Sequence, residues 1–140
     1  HVEKFFDFED VLVLPVVSPL RNKEDINNII KKYKENKNKA VITITESSRN
    51  PYYNMVFFDK KKKINKLKFN KSIIRRQEAP LFFDVCTVGY MLNKKAIKKK
   101  NNIFDCKLSY VKIPKSRAID IDDKCDFLIS KILYGKKLND

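Results

Sequence analysis

The chain has 140 residues, the length of one domain that is large enough to bury a hydrophobic core. It carries 31 lysine and arginine residues against 17 acidic ones, for a net charge of +14, and 43% of its residues are hydrophobic. This composition excludes a disordered chain. Because no apolar run reaches about 18 residues, the sequence also excludes a membrane-spanning helix, and we expect no membrane partner.

Strand and helix signals alternate in the first third of the chain. The apolar run 10–17 predicts a strand that is buried on both faces, as in a parallel sheet. Apolar side chains then recur at helical spacing over residues 24–35: Ile26, Ile29, Ile30 and Tyr33. The β-branched stretch 40–45 predicts another strand. Strand, helix and strand in this order form a βαβ unit and favour an α/β fold.

Residues 46–85 have a different pattern. The apolar segments 55–58 and 64–69 flank a polar turn at 59–63. This arrangement predicts an antiparallel hairpin.

The second half of the chain returns to alternating strands and helices. The stretches 86–92 and 108–114 predict strands, and Asn93 is a suitable cap for a short lysine-rich helix over 94–99. The last helix is expected to begin at Asp122 or Asp123 and to stop at Gly135. Its apolar stripe consists of Cys125, Leu128, Ile129, Ile132 and Leu133.

The segment SRAIDIDDKCD, residues 116–126, places four carboxylates within seven positions. On an extended segment Asp120 and Asp122 lie on one face, where they repel each other unless a cation lies between them. Alternatively, the aspartates supply negative charge to the N-terminus of the last helix. That alternative accounts for Asp122, Asp123 and Asp126 but not for Asp120, so both interpretations stay open.

Lysine supplies nearly all of the positive charge, in runs such as 60–63 and 98–100. Arginine and aromatic side chains do not alternate along a stripe, as a groove that stacks nucleic-acid bases requires. We therefore expect solvated lysine surfaces and no specific nucleic-acid partner.

Three cysteines, Cys86, Cys106 and Cys125, lie far apart in the sequence and form no CxxC spacing. They support neither a zinc site nor a disulfide framework. We expect free, mostly buried thiols in a protein of the reducing cytoplasm.

Four segments, taken in order, resemble a known family. They are 14–21 (LPVVSPLR), 76–80 (RQEAP), 89–91 (GYM) and 116–122 (SRAIDID). The series resembles the acylneuraminate cytidylyltransferases, which synthesise CMP-activated sialic acids and related nonulosonic acids. The resemblance runs from about residue 10 to about residue 133.

The resemblance implies an α/β fold with a Rossmann-like mixed sheet of the nucleotide-diphospho-sugar-transferase type. Residues 1–140 would form part of one cytidylyltransferase domain, in which 46–85 is a hairpin arm that exchanges contacts in a homodimer. The implied reaction transfers CMP from CTP to a 2-keto sugar acid and releases pyrophosphate.

The resemblance also implies the site residues. The paired aspartates of the family match Asp120 and Asp122, which would be catalytic and would hold Mg²⁺. Two carboxylates suit that ion because waters and phosphate oxygens fill its other positions.

Substrate-binding positions follow in the same way. The arginine that meets the sugar acid matches Arg76, with Gln77 beside it, and its planar fork suits a carboxylate. Ser18 and Arg21 match the turn where the sugar and nucleotide sites meet.

Two departures from the family bear on activity. The family opens with a glycine- and lysine-rich loop that wraps CTP, whereas the only glycines here are Gly89 and Gly135. We therefore expect a C-terminal portion of the enzyme that is inactive alone. Unusual residues in the sugar region, Pro15, Val17, Cys86 and Thr87, are compatible with a different nonulosonic acid. The alternative function is a basic α/β module that contacts an anionic partner without catalysis.

Overall fold

A computed structural model describes residues 4–35, 40–69, 73, 75–99 and 102–137. The strands are β1 (Asp10–Val13), β2 (Ala40–Glu46), β3 (Val56–Phe58), β4 (Ile64–Lys66), β5 (Phe83–Asn93) and β6 (Leu108–Lys112). The α-helices are α1 (Lys23–Glu35), α2 (Lys94–Lys99) and α3 (Lys124–Lys137). Short 3₁₀ turns cover Arg76–Glu78, Ile103–Asp105 and Lys115–Arg117. The chain divides into two compact units, one that contains Glu46–Asp84 and one that contains the remainder.

The larger unit contains a mixed four-stranded sheet in the order β1-β5-β2-β6. Strand β2 runs parallel to β6, and all of its residues except Glu46 are buried, as expected for a strand inside an α/β sheet. The predicted mixed α/β fold is therefore confirmed, together with strand β2 and helix α1.

The prediction for residues 10–17 is wrong in two respects. Strand β1 ends at Val13 and pairs antiparallel with β5, and it stands at one end of the described sheet with both terminal residues exposed. Because β5 lies between β1 and β2, the first two strands are not neighbours. The apolar residues after Val13 belong to a turn, which explains why an unbroken apolar run did not give a long buried strand.

Helix α1 packs against the sheet through Ile29, which is fully buried. The helix begins with a reciprocal capping box, in which the Asp25 N–H donates to Asn22 Oδ1 (2.9 Å) and the Asn22 N–H donates to Asp25 Oδ2 (3.1 Å). Gly89 in β5 permits the close approach of this helix, since a Cβ there would lie 2.9 Å from Ile29 Cδ1. The neighbouring core contains Cys86, Val88 and Ile113.

The smaller unit contains the predicted hairpin, which is confirmed. Strands β3 and β4 pair antiparallel, and Phe58 lies opposite Ile64. Asp59 shapes the turn, because its Oδ1 accepts the N–H groups of Lys61 and Lys63, both at 2.9 Å. These bonds, that from Lys63 foremost, lower the pKa of Asp59. Lys62 occupies the left-handed region at φ 58°.

Helix α3 differs from its prediction at its C-terminal end and on its surface. It continues through Gly135 to Lys137, because Gly135 keeps a negative φ and does not form a left-handed cap. Much of the predicted apolar stripe is exposed, including Leu128 (58%) and Ile132 (61%). The stripe is thus helical, but it does not form a core among the residues that the structure describes.

Two further expectations concern cysteines and membrane segments. All three cysteines are free, as predicted, but only Cys86 is buried, whereas Cys125 is exposed. Within the described ranges, no helix combines the length and the apolar character that crossing a membrane requires.

Candidate functional site

The turn that follows β1 is built around Arg21. Its guanidinium donates to three backbone carbonyls: those of Ser18 (3.2 Å), Val88 (2.9 Å) and Pro15. Burial lowers the pKa of this side chain. Arg21 therefore joins the turn to β5, and in this structure its hydrogen bonds go to the protein backbone. Direct contact between Arg21 and a substrate stays a prediction.

Ser18 also joins the turn to β5. It is almost completely buried, and its hydroxyl lies 2.5 Å from the hydroxyl of Thr87. Sequence reasoning noticed Thr87 only as a departure from the family pattern and missed this pairing. Deeper in the sheet, the Thr43 hydroxyl donates to the carbonyl of Cys86 at 2.7 Å. The side chains of Ser18 and Thr43 thus form hydrogen bonds with neighbouring residues in the middle of β5.

The acidic segment lies directly against this turn. The backbone N–H of Ile121, between Asp120 and Asp122, donates to the carbonyl of Val17 at 3.0 Å. Burial raises the pKa of Tyr90 on β5, and the charges of Cys86 and of Asp120 in the acidic segment raise it further. Three of the four family-like motifs, namely the turn, the tyrosine strand and the acidic segment, therefore converge in the larger unit.

The helix cap accounts for two of the four clustered aspartates. Asp123 Oδ1 accepts the N–H groups of Cys125 (2.7 Å) and Asp126 (2.9 Å). Asp126 Oδ2 in turn accepts the N–H groups of Asp122 and Asp123, both at 3.2 Å. This is a capping box at the start of α3, with negative charge at the positive end of the helix dipole.

The cap leaves Asp120 and Asp122 without such a role. Asp120 Oδ1 is buried and has no hydrogen-bond partner among the described residues. Asp122 is exposed, and its carboxylate forms no hydrogen bond or ion pair with any residue that the structure describes. A buried oxygen without a donor is costly unless a proton or cation satisfies it. The Asp120 oxygen therefore fits a hard divalent cation, for which Asp122, two residues further on, would be the second ligand.

The small number of donor side chains also limits which cation Asp120 and Asp122 could bind. Over the described ranges, no group of three or more histidine, cysteine, aspartate or glutamate side chains is placed to hold a metal. Mg²⁺ suits such a sparse set, because it retains waters and binds phosphate oxygens alongside one or two carboxylates.

Sequence reasoning missed the ion pair between Arg117 and Asp25. Arg117 Nε lies 3.0 Å from Asp25 Oδ2, and Nη2 lies 2.9 Å from Oδ1. These hydrogen bonds raise the pKa of Arg117. The capping pattern at residues 22–25 was a local signal for helix α1, but no local signal connects two residues that are 92 positions apart.

Arg76 and Gln77 belong to the smaller unit. Both are exposed and belong to the 3₁₀ turn Arg76–Glu78. The Arg76 guanidinium carbon is 4.7 Å from the ring centroid of Tyr53, which is a cation–π contact. The outer face of the guanidinium remains suited to a carboxylate, but substrate binding by these two residues stays a prediction.

Comparison with known proteins gives three similarities that bear on this site. The chain is 26% identical over 137 residues to post-translational flagellin modification protein B of Campylobacter coli, covering 96% of this chain and 57% of that protein. It is 29% identical over 97 residues to CMP-N,N'-diacetyllegionaminic acid synthase of Campylobacter jejuni, covering 69% and 40% respectively. No family model matches the chain. The chain thus spans little more than half the length of the first relative and less than half of the second.

A solved structure shows the same fold. The 4-diphosphocytidyl-2C-methyl-D-erythritol synthase of Anaerococcus prevotii superimposes with a TM-score of 0.62 at 20% identity. The alignment covers 94% of this chain and 62% of that one. The larger and smaller units of this chain therefore follow the fold of that synthase.

Proposed function

We propose that the chain is a cytidylyltransferase, as its similarity to the two Campylobacter proteins suggests, and that it forms the cation-binding part of an enzyme that transfers CMP from CTP to a nonulosonic acid. Pyrophosphate is the second product. One observation carries this proposal: Asp120 Oδ1 is buried and has no hydrogen-bond partner among the described residues, whereas Asp123 and Asp126 in the same cluster form a helix cap. The name of the Campylobacter jejuni relative supports a nonulosonic acid as the acceptor.

Asp120 and Asp122 are the residues that would hold Mg²⁺. A bound Mg²⁺ would neutralise charge on the α-phosphate and on the departing pyrophosphate and would orient their oxygens. In the proposed reaction, the anomeric hydroxyl oxygen bonds to the α-phosphorus while the bond from that phosphorus to the bridging oxygen breaks. The protein contributes by fixing both carboxylates beside the turn through the Ile121 to Val17 hydrogen bond.

Arg76 and Gln77 would bind the carboxylate of the acceptor sugar, since a guanidinium offers paired donors to a carboxylate. We propose that the smaller unit acts as an arm between two copies of the protein. Its hairpin supports this, because Val56, Phe58 and Ile64 expose 64%, 68% and 61% of their surfaces.

The test uses the complete protein in which this sequence occurs, with CTP, Mg²⁺ and a nonulosonic acid. Asp120→Asn combined with Asp122→Asn is expected to abolish formation of the CMP-sugar, with an unchanged circular dichroism spectrum. Asp7→Asn is the control, because Asp7 is fully exposed and, within the described ranges, its carboxylate pairs with the Lys94 ammonium at 3.7 Å. Unchanged turnover in the double variant would remove the assignment.

A second assay concerns the 140 residues by themselves. We expect them to give no CMP-sugar. A loop that wraps phosphates requires close backbone approach, which glycine permits, and the only glycines in this sequence, Gly89 and Gly135, do not lie in a loop of that kind. Detectable turnover by the isolated chain would contradict this expectation.

A further inference from the structure

The Arg117–Asp25 ion pair is the best-defined charged interaction in the described structure. The two side chains form two parallel hydrogen bonds of 2.9 and 3.0 Å. The Asp25 side chain is 2% exposed and that of Arg117 is 29% exposed. An ion pair in such a position contributes little net stability compared with apolar residues of the same volume, so its fixed geometry is the property that needs explanation.

The pair connects the two segments that form the proposed cation site. Asp25 belongs to the capping box with Asn22, and Asn22 directly follows Arg21, which shapes the turn after β1. Arg117 lies three residues before Asp120. The ion pair therefore ties the start of α1 to the entrance of the acidic segment.

A second tie lies on the other side of Asp120. The Ile121 N–H donates to the Val17 carbonyl at 3.0 Å, so the segment is attached to the turn region both before and after Asp120. Between these two attachments, Asp120 Oδ1 is buried and has no hydrogen-bond partner among the residues that the structure describes. The backbone around a cation ligand is thus fixed by groups that are not themselves ligands.

We propose that Arg117 and Asp25 are positioning residues, which set the path of residues 117–121 so that the Asp120 carboxylate is held ready for a divalent cation. This inference rests on the proposed function, because it presupposes the cation. Groups that orient metal ligands typically affect metal affinity by about 10–100-fold when they are removed.

The test measures two quantities in the complete protein. One is the affinity for Mn²⁺, used as the probe and followed by the electron paramagnetic resonance of the free ion. The other is hydrogen exchange of the Ile121 amide without any metal, followed by NMR. Asp25→Asn removes the charge of the pair with little change in shape, and Arg117→Lys keeps the charge but loses the planar fork.

Both variants are expected to weaken Mn²⁺ binding at least about tenfold and to speed exchange of the Ile121 amide. Glu35→Gln is the matched control, because it removes one carboxylate from the same helix, where Glu35 forms an exposed pair with Lys31 at 3.8 Å. Its Mn²⁺ affinity should stay within about twofold, since an exposed pair of this kind has little energetic effect. Affinities are referred to the folded fraction of each sample.

The outcomes separate the two proposals. If the wild type shows no Mn²⁺ binding, or only binding that Asp120→Asn leaves intact, the proposed function fails. If the wild type binds Mn²⁺ through Asp120 but Asp25→Asn and Arg117→Lys keep its affinity within about twofold, the ion pair is merely structural and the inference is overturned. Arg117→Lys carries the test alone if Asp25→Asn does not fold, because it preserves the net charge and the aliphatic stem.

Discussion

The four clustered aspartates should divide into two pairs with opposite responses to mutation. Asp123→Ala removes the acceptor of two N–H groups, at 2.7 and 2.9 Å, and one negative charge from the start of α3. Loss of a cap and of its dipole interaction together costs about 1–2 kcal/mol of unfolding free energy. For a chain of this size the thermal midpoint should fall by roughly 4–8 °C. Mn²⁺ affinity, referred to the folded fraction, should change less than about twofold.

Asp120→Asn should give the opposite result. It replaces a partly buried carboxylate, whose Oδ1 has no partner within the described residues, by a neutral amide. In the absence of metal this variant should be at least as stable as the wild type, because an unpaired buried charge is costly. Its Mn²⁺ affinity should be lost. Thermal unfolding and Mn²⁺ titration of both variants check the division, and a loss of Mn²⁺ binding in Asp123→Ala with full binding in Asp120→Asn would refute it.

Three further predictions concern the framework around the site. Burial and the hydrogen bond that Tyr33 donates to Asp10 raise the pKa of this phenol to about 12 from its usual 10.0. Between these two pKa values the folded state keeps a proton that the unfolded state loses, so the unfolding free energy should fall as pH rises from about 10 to about 12. Urea unfolding at pH 9 and pH 11 should show a smaller fall in unfolding free energy for Tyr33→Phe than for the wild type. Gly89→Ala should lower the unfolding free energy by about 1–3 kcal/mol, since its Cβ would lie 2.9 Å from the buried Ile29, and an unchanged thermal midpoint would show that the helix has room to move. Thr43→Val should cost about 1–3 kcal/mol in urea unfolding, because it removes a buried hydroxyl that lies 2.7 Å from the Cys86 carbonyl and 3.1 Å from the Gly89 carbonyl, and equal stability would mean that these β5 groups find other partners.

Local pattern was sufficient where one periodicity dominates a segment. The helical spacing of the isoleucines gave α1, and the β-branched run gave β2, which is buried as a parallel strand should be. The hairpin followed from two apolar segments around the polar turn of Asp59. In each case the same residues decide both the secondary structure and the face that is buried.

Pattern was insufficient where partners come from far along the chain. The apolar run after Val13 looks like a strand, but Arg21 folds it into a turn through carbonyls on both sides of that turn and on β5. The contact between Arg117 and Asp25 spans 92 positions. The exposure of α3 is a third case, because periodicity shows that a helix has an apolar face but not whether anything covers it.

For the proposed site, the sequence left two interpretations of the clustered aspartates open, a cation site and a helix cap. All four aspartates carry the same formal charge, and only the hydrogen bonds reveal that Asp123 and Asp126 belong to the helix. The burial of Asp120 then separates it from its neighbours. Alternation along the segment and the family resemblance both predict the pair Asp120 and Asp122, and the burial of Asp120 Oδ1 adds a physical reason for the choice of Asp120.

The net charge of +14 is compatible with either an enzyme that binds anions or a basic module that contacts an anionic partner. A basic module has no use for a carboxylate oxygen buried without a donor, since that oxygen both lowers stability and repels an anion. The proposed cation at Asp120 would resolve this conflict, because it would turn a repulsive group into an attachment point for phosphate. Affinity for CTP should therefore rise with Mg²⁺ in the wild-type protein and respond less in Asp120→Asn. Binding that falls steeply with salt and ignores both Mg²⁺ and this substitution would favour the basic module instead.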